Sequence, residues 1–138
     1  MNTKRLLMAF VATYIVYQIL GYLIHQVWLA DTYQSLSAVW RPEEEMMSKM
    51  WVMFVSSAFF CFFFCYIFAR GYENRGLGEG IRYGVIITLF YTLPVVYDSY
   101  VIYPIPYSLV LQWLFSGLVV TIILGIVAAI VYKPRAAV

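Results

Sequence analysis

The chain alternates between long runs that carry almost no charge and short polar connections, and this rhythm predicts its elements. From Leu6 to Ala30 there is no formal charge if His25 is neutral. A second uncharged run extends from Met50 to Ala69. From Tyr83 to Tyr132 the only formal charge is Asp98. A helix needs about 20 apolar residues to cross the hydrocarbon core of a bilayer. The first two runs suit one crossing each. The third is too long for one, and it is broken at Tyr103-Pro104-Ile105-Pro106-Tyr107. Each proline removes a backbone donor and disfavours helix in the residue before it. The pattern predicts four spans, at about 5–30, 43–70, 81–102 and 107–132. The turn between the last two is so short that they must be antiparallel neighbours.

The connections add detail. Asp31 followed by Gln34 resembles a capping box, with an acceptor at the N-cap and an amide reaching back. Leu36, Val39 and Trp40 then recur at helical spacing, which predicts a short helix over about 32–40 lying in the membrane interface. Pro42 suits the first position of the next helix. Glu43, Glu44 and Glu45 suit its first turn, where the helix dipole favours negative charge. The connection 71–80 is polar and glycine-rich. Gly80 and Gly84 share a helix face that lets another backbone approach closely, and Gly117 is a further packing glycine on the fourth span. No internal repeat relates the two hairpins.

Composition points the same way. The 138 residues are 64% hydrophobic and 12% charged, with a mean hydropathy of +0.81. A soluble domain is about half apolar and a quarter charged. The expected fold is a single-domain, all-α integral membrane protein, an antiparallel bundle of four transmembrane helices with one interfacial helix. Lys4 and Arg5 resemble the start of a signal peptide, but the apolar run is longer than such a segment needs and no small-x-small site follows, so a retained helix is expected.

Charge sets orientation. Of the nine basic residues, Lys4, Arg5, Arg70, Arg75, Arg82, Lys133 and Arg135 fall on one side, and Arg41 and Lys49 on the other. Short cytoplasmic connections carry the excess of Lys and Arg. Both termini are therefore expected in the cytoplasm, in a membrane such as the bacterial inner membrane. Trp28, Trp40, Trp51 and Trp113 all fall near the opposite face and suit an aromatic belt. The net charge of +2 gives no argument for nucleic acid.

Polar groups inside a membrane are expensive and usually face protein or water. His25, Asp98 and Gln112 each lie about one turn from the outer end of their helices. Tyr14, Gln18, Tyr22 and His25 form one stripe on the first span. Thr88, Tyr91 and Asp98 share a face of the third, where Pro94 can open the backbone ladder. Gln112 aligns with Ser116, and Ser57 with Cys61 and Cys65. If these stripes face inward, His25, Asp98, Gln18, Tyr91, Gln112 and Tyr22 bound an outward-facing pocket for a cation, a proton or a small polar ligand, with His25 and Asp98 close enough to interact directly or through water. Tyr97, Tyr100, Tyr103 and Tyr107 would crowd its mouth. The bland alternative is a structural hydrogen bond tying helices together.

Other signals are weak. The acidic triplet is explained by its helix N-terminus, and no metal spacing is present. Cys61 and Cys65, four apart among phenylalanines, fit packing better than redox chemistry. Gly76, Gly78 and Gly80 lack the lysine and spacing of a phosphate loop. No nucleophile–base pair stands out, and no cofactor is implied. The leading expectation is a non-enzymatic membrane component, in contact with the lipid bilayer, that packs as a homo-oligomer or as an accessory subunit of a membrane complex. The alternatives are an oligomeric channel or transporter, and an enzyme or binder acting on a lipid or quinone at the outer leaflet.

Overall fold

The computed structural model describes residues 1–133, so Arg135 of the charge argument lies outside it. It is all-helical, with no strand among the described residues. Four helices are long and apolar enough to cross a bilayer: α1 (Thr3–Trp28), α3 (Glu43–Arg70), α4 (Leu77–Ile102) and α5 (Tyr107–Val131). The short α2 (Ala30–Ser35) joins the first two. Lys4, Arg5, Arg70, Arg75, Arg82 and Lys133 gather at one end of the bundle, the basic end. The other, aromatic end carries α2 and the Pro104–Pro106 turn.

The tightest contact in the bundle is between α4 and α5. Gly80 packs on the backbone of Gly125, and Gly84 on Thr121 and Ile122. A Cβ on Gly84 would lie 2.6 Å from the Cα of Ile122, a separation that real side chains do not tolerate. Small residues thus let the two backbones touch. The hydroxyls of Thr88 and Thr121 then pair across the seam at 2.6 Å. Gly117 makes room for the side chain of Thr92.

α1 packs between α3 and α5. Leu6, Ala9, Phe64, Cys65, Phe68, Leu124 and Ala128 form the core at the basic end. Cys61 and Cys65 are buried free thiols, and Thr13 Oγ1 lies 3.2 Å from Cys65 Sγ. α3 and α4 meet only through long side chains. Tyr83 donates to the carbonyl of Phe64 at 2.7 Å, its ring lies against Phe64 and Phe68, and Phe60 lies against Tyr91. Toward the aromatic end beyond Phe60 and Tyr91, no ring pair, hydrogen bond or ion pair joins α3 to α4 among the described residues.

Several boundaries differ from expectation. α4 starts at Leu77 rather than near 81. Gly76, with φ 70° and ψ −150°, supplies a backbone turn that L-residues avoid. Glu79 in the first turn accepts from the backbone N–H groups of Glu73 (2.7 Å) and Arg75 (2.9 Å), so the connection folds onto the helix start. Its carboxylate is buried, and these bonds offset the desolvation cost. α2 covers Ala30–Ser35 rather than 32–40, and turns carry the chain on to Val39. Asp31 is not its N-cap: Leu29 holds that place, without a side-chain cap. The helix restarts early because the N–H of Leu29 reaches back to Ile24 O at 2.8 Å, leaving a one-residue break. Pro42 is the N-cap of α3 rather than its first residue.

Two long helices contain a wide π segment, Leu23–Trp28 in α1 and Thr88–Thr92 in α4. The second has a visible cause. Pro94 has no N–H, and its ring collides with the carbonyl four residues back in a regular helix. The chain widens just before it, and Leu93 donates to Thr88 O, five residues back.

The glycine seam is testable. Gly84→Val should lower stability by at least about 1–3 kcal/mol, because the added atoms have no space. Gly78→Ala, whose Cβ meets nothing within 4 Å, should leave stability unchanged or raise it. Thermal unfolding in mild detergent reads both.

Candidate functional site

Where α3 and α4 part, the bundle holds a cavity of about 750 Å³, lined by all four long helices. Small-molecule sites are typically about 300–1,000 Å³. Tyr17, Phe60 and Tyr91 line its deep end as a run of rings, with centroids 5.7 Å and 5.5 Å apart. Met50, Met53, Phe54, Val95 and Val96 form apolar walls. Among the described residues, no Asp, Glu, Lys or Arg lines it. Both π segments open onto it, through Ile24, His25 and Gln26 on one side and Tyr91 and Thr92 on the other. Such wide turns recur at functional sites.

Most hydroxyls in the cavity wall are already committed to nearby carbonyls. Ser56 donates to Met53 O, Ser99 to Val95 O, Ser116 to Trp113 O and Thr121 to Gly117 O. Ser57 donates to Phe54 O and accepts from Gln18 Nε2 at 2.8 Å, which ties α1 to α3. The hydroxyls of Tyr17, Tyr22, Tyr91 and Thr92 have no partner of this kind among the described residues.

At the aromatic end, His25 Nδ1 lies 2.6 Å from the hydroxyl of Tyr33. Trp113 Nε1 donates to the same hydroxyl at 2.7 Å, and Trp40 Nε1 donates to the Tyr33 carbonyl at 3.2 Å. The rings of His25 and Tyr33 stack, and Trp40 meets Tyr33 edge-on. An indole N–H only donates, so Tyr33 accepts there. Its own proton can go to His25 Nδ1, the alternative being that its second lone pair accepts from Nδ1–H. In the first arrangement the imidazole is neutral and carries its proton on Nε2. Burial pushes the Tyr33 phenol up, more than the Trp113 hydrogen bond draws it down, so it keeps its proton at neutral pH.

The expected site is thus partly assembled. His25, Gln18, Tyr22 and Tyr91 line the cavity. Asp98 does not: it is exposed, and among the described residues it makes no hydrogen bond or ion pair, so no direct bond joins it to His25. The wide turn at Thr88–Thr92 inserts about one residue, so regular spacing from Thr88 no longer holds one face, and Val95 and Ser99 face inward instead. Gln112 also stays out of the cavity lining, with its Oε1 buried and unpartnered among the described residues. Tyr97 and Tyr107 pair through their hydroxyls at 3.0 Å, and Tyr100 packs on Tyr107. Tyr33 was not foreseen. It reaches His25 across the break at Leu29, where no periodicity predicts a shared face.

Among the described residues, no group of three or more His, Cys, Asp or Glu is placed to hold a metal ion. Tyr33→Phe leaves the Trp113 N–H without its acceptor and should cost about 1–3 kcal/mol. Asp98→Asn should change stability by less than about 0.5 kcal/mol. Unfolding of both variants in detergent checks the contrast, and a large loss for Asp98→Asn would contradict its exposed, unpaired position. No protein-family model, curated protein or solved structure matches this chain.

Proposed function

We propose that the chain is a non-enzymatic integral membrane protein whose cavity takes up a small amphiphile directly from the bilayer. One observation carries this reading: the cavity has no Asp, Glu, Lys or Arg in its wall among the described residues, is largely apolar, and is flanked by a gap between α3 and α4 that, beyond Phe60 and Tyr91, no ring pair or hydrogen bond closes among the described residues. In a bilayer that gap faces lipid, so an amphiphile enters sideways without crossing water. The positions of Lys and Arg support termini in the cytoplasm and the aromatic end outside. The cavity then lies in the outer half, with Trp113 and Tyr33 at headgroup level.

A solute pathway through one protomer has less support. Beneath Tyr17, Phe60 and Tyr91 the basic end is filled by the packed core around Phe64, Phe68 and Leu124. The polar groups do not continue through it as a lined channel.

Two measurements test the proposal. A Cβ on Gly21 meets nothing within 4 Å, and Gly21 lines the cavity, so Gly21→Phe fills the space at little cost to the fold. Mass spectrometry of protein released from nanodiscs should find an amphiphile retained by the parent chain and largely lost from Gly21→Phe. Equal retention by both, or none by the parent, would overturn the reading. For orientation, Ser37→Cys on the exposed connection should react with an impermeant thiol reagent added outside cells, while the buried Cys61 and Cys65 stay silent.

A further inference from the structure

The proposed uptake of an amphiphile leaves its chemistry open, and the cavity's unspent protons narrow it. The serine hydroxyls and Thr121 are used within the chain. Donors without a partner among the described residues remain on Tyr17, Tyr22, Tyr91, Thr92 and the Gln26 amide and, where Tyr33 donates to Nδ1, on His25 Nε2. Leaving such donors unmet in an apolar site is costly, so the cavity is matched to an acceptor. With no Asp, Glu, Lys or Arg in its wall among the described residues, it offers no opposite charge to offset the desolvation of an ionic headgroup. The ring run of Tyr17, Phe60 and Tyr91, with Trp113 nearer the aromatic end, suits a flat group by stacking. The apolar gap beside α3 leaves an exit for a hydrocarbon tail.

We propose that the cavity binds a neutral amphiphile with a flat, carbonyl-bearing head and an apolar tail, the chemistry of an isoprenoid quinone, with His25 Nε2 and the tyrosine hydroxyls donating to its carbonyls. This inference concerns binding alone and depends on the cavity reading above.

The test uses the full chain in nanodiscs titrated with decylubiquinone, whose ring quenches tryptophan fluorescence when it lies near Trp113. Saturable quenching is expected. Diolein (neutral, carbonyl-bearing, not flat), decylbenzene (flat, no carbonyl) and oleate (anionic) should compete poorly. His25→Phe and Tyr91→Phe should each weaken decylubiquinone binding by about fivefold. The conservative Tyr91→Phe keeps the ring run and so guards against a folding defect in the other variant. Decylbenzene competing as well as the quinone would overturn the role of the carbonyls. Diolein or oleate competing as well would overturn the flat or the neutral head. Failure of decylubiquinone to bind, while Gly21→Phe still abolishes amphiphile retention, would sink the quinone inference and leave the cavity reading standing. Loss of both effects would sink both.

Discussion

The bundle depends on the contact of two backbones where Gly80 and Gly84 meet Gly125 and its neighbours. Helices in a membrane gain little from hiding apolar surface from one another, because lipid is as apolar as they are. Close packing and interhelical hydrogen bonds must supply the attraction. The glycines supply the first, and the Thr88–Thr121 pair supplies the second. Holding α4 so close to α5 draws it away from α3. α3 then reaches α4 only through the long arms of Tyr83 and Phe60. The opening beside the cavity is thus a consequence of the tightness of the α4–α5 seam.

The cavity's polarity follows from a second constraint, that hydrogen-bonding groups inside an apolar medium need partners. The wall serines and Thr121 meet it locally, by bonding carbonyls three or four residues back. The π segments disturb the regular ladder on both sides of the cavity, one at a helix end and one ahead of Pro94. Around them the groups that cannot be satisfied locally accumulate. His25 finds Tyr33 across a chain break, and Tyr33 is itself fixed by Trp113. Three separate segments therefore meet around one imidazole.

Much of the architecture was legible beforehand because the membrane criterion is one-dimensional. Uncharged runs of the right length, the Tyr103–Tyr107 break and the glutamates after Pro42 mark helices whatever their partners. The partner of the glycine face was not legible: Gly80 and Gly84 announce a close approach, but not that Gly125 receives it. Which of the polar residues line the cavity depends on a related point. Gln18 and His25 reach the cavity, even though the wide turn at Leu23 falls between them. Asp98 misses it, because the wide turn before Pro94 changes the phase of everything after it. Proline marks the place of such a disturbance, but not its size.

Sequence by itself determined the helical spans, their short connections, the segregation of basic residues to one end and the scarcity of charge between. These follow from local composition and from chain length against bilayer thickness. Tertiary structure decided which pair of helices closes and which parts, that Tyr33 rather than Asp98 partners His25, and that unspent donors share one uncharged cavity. Those outcomes depend on backbone approach at a few glycines and on helix phase after two wide turns. Neither quantity is a property of any single segment, so neither could be read before the helices were packed together.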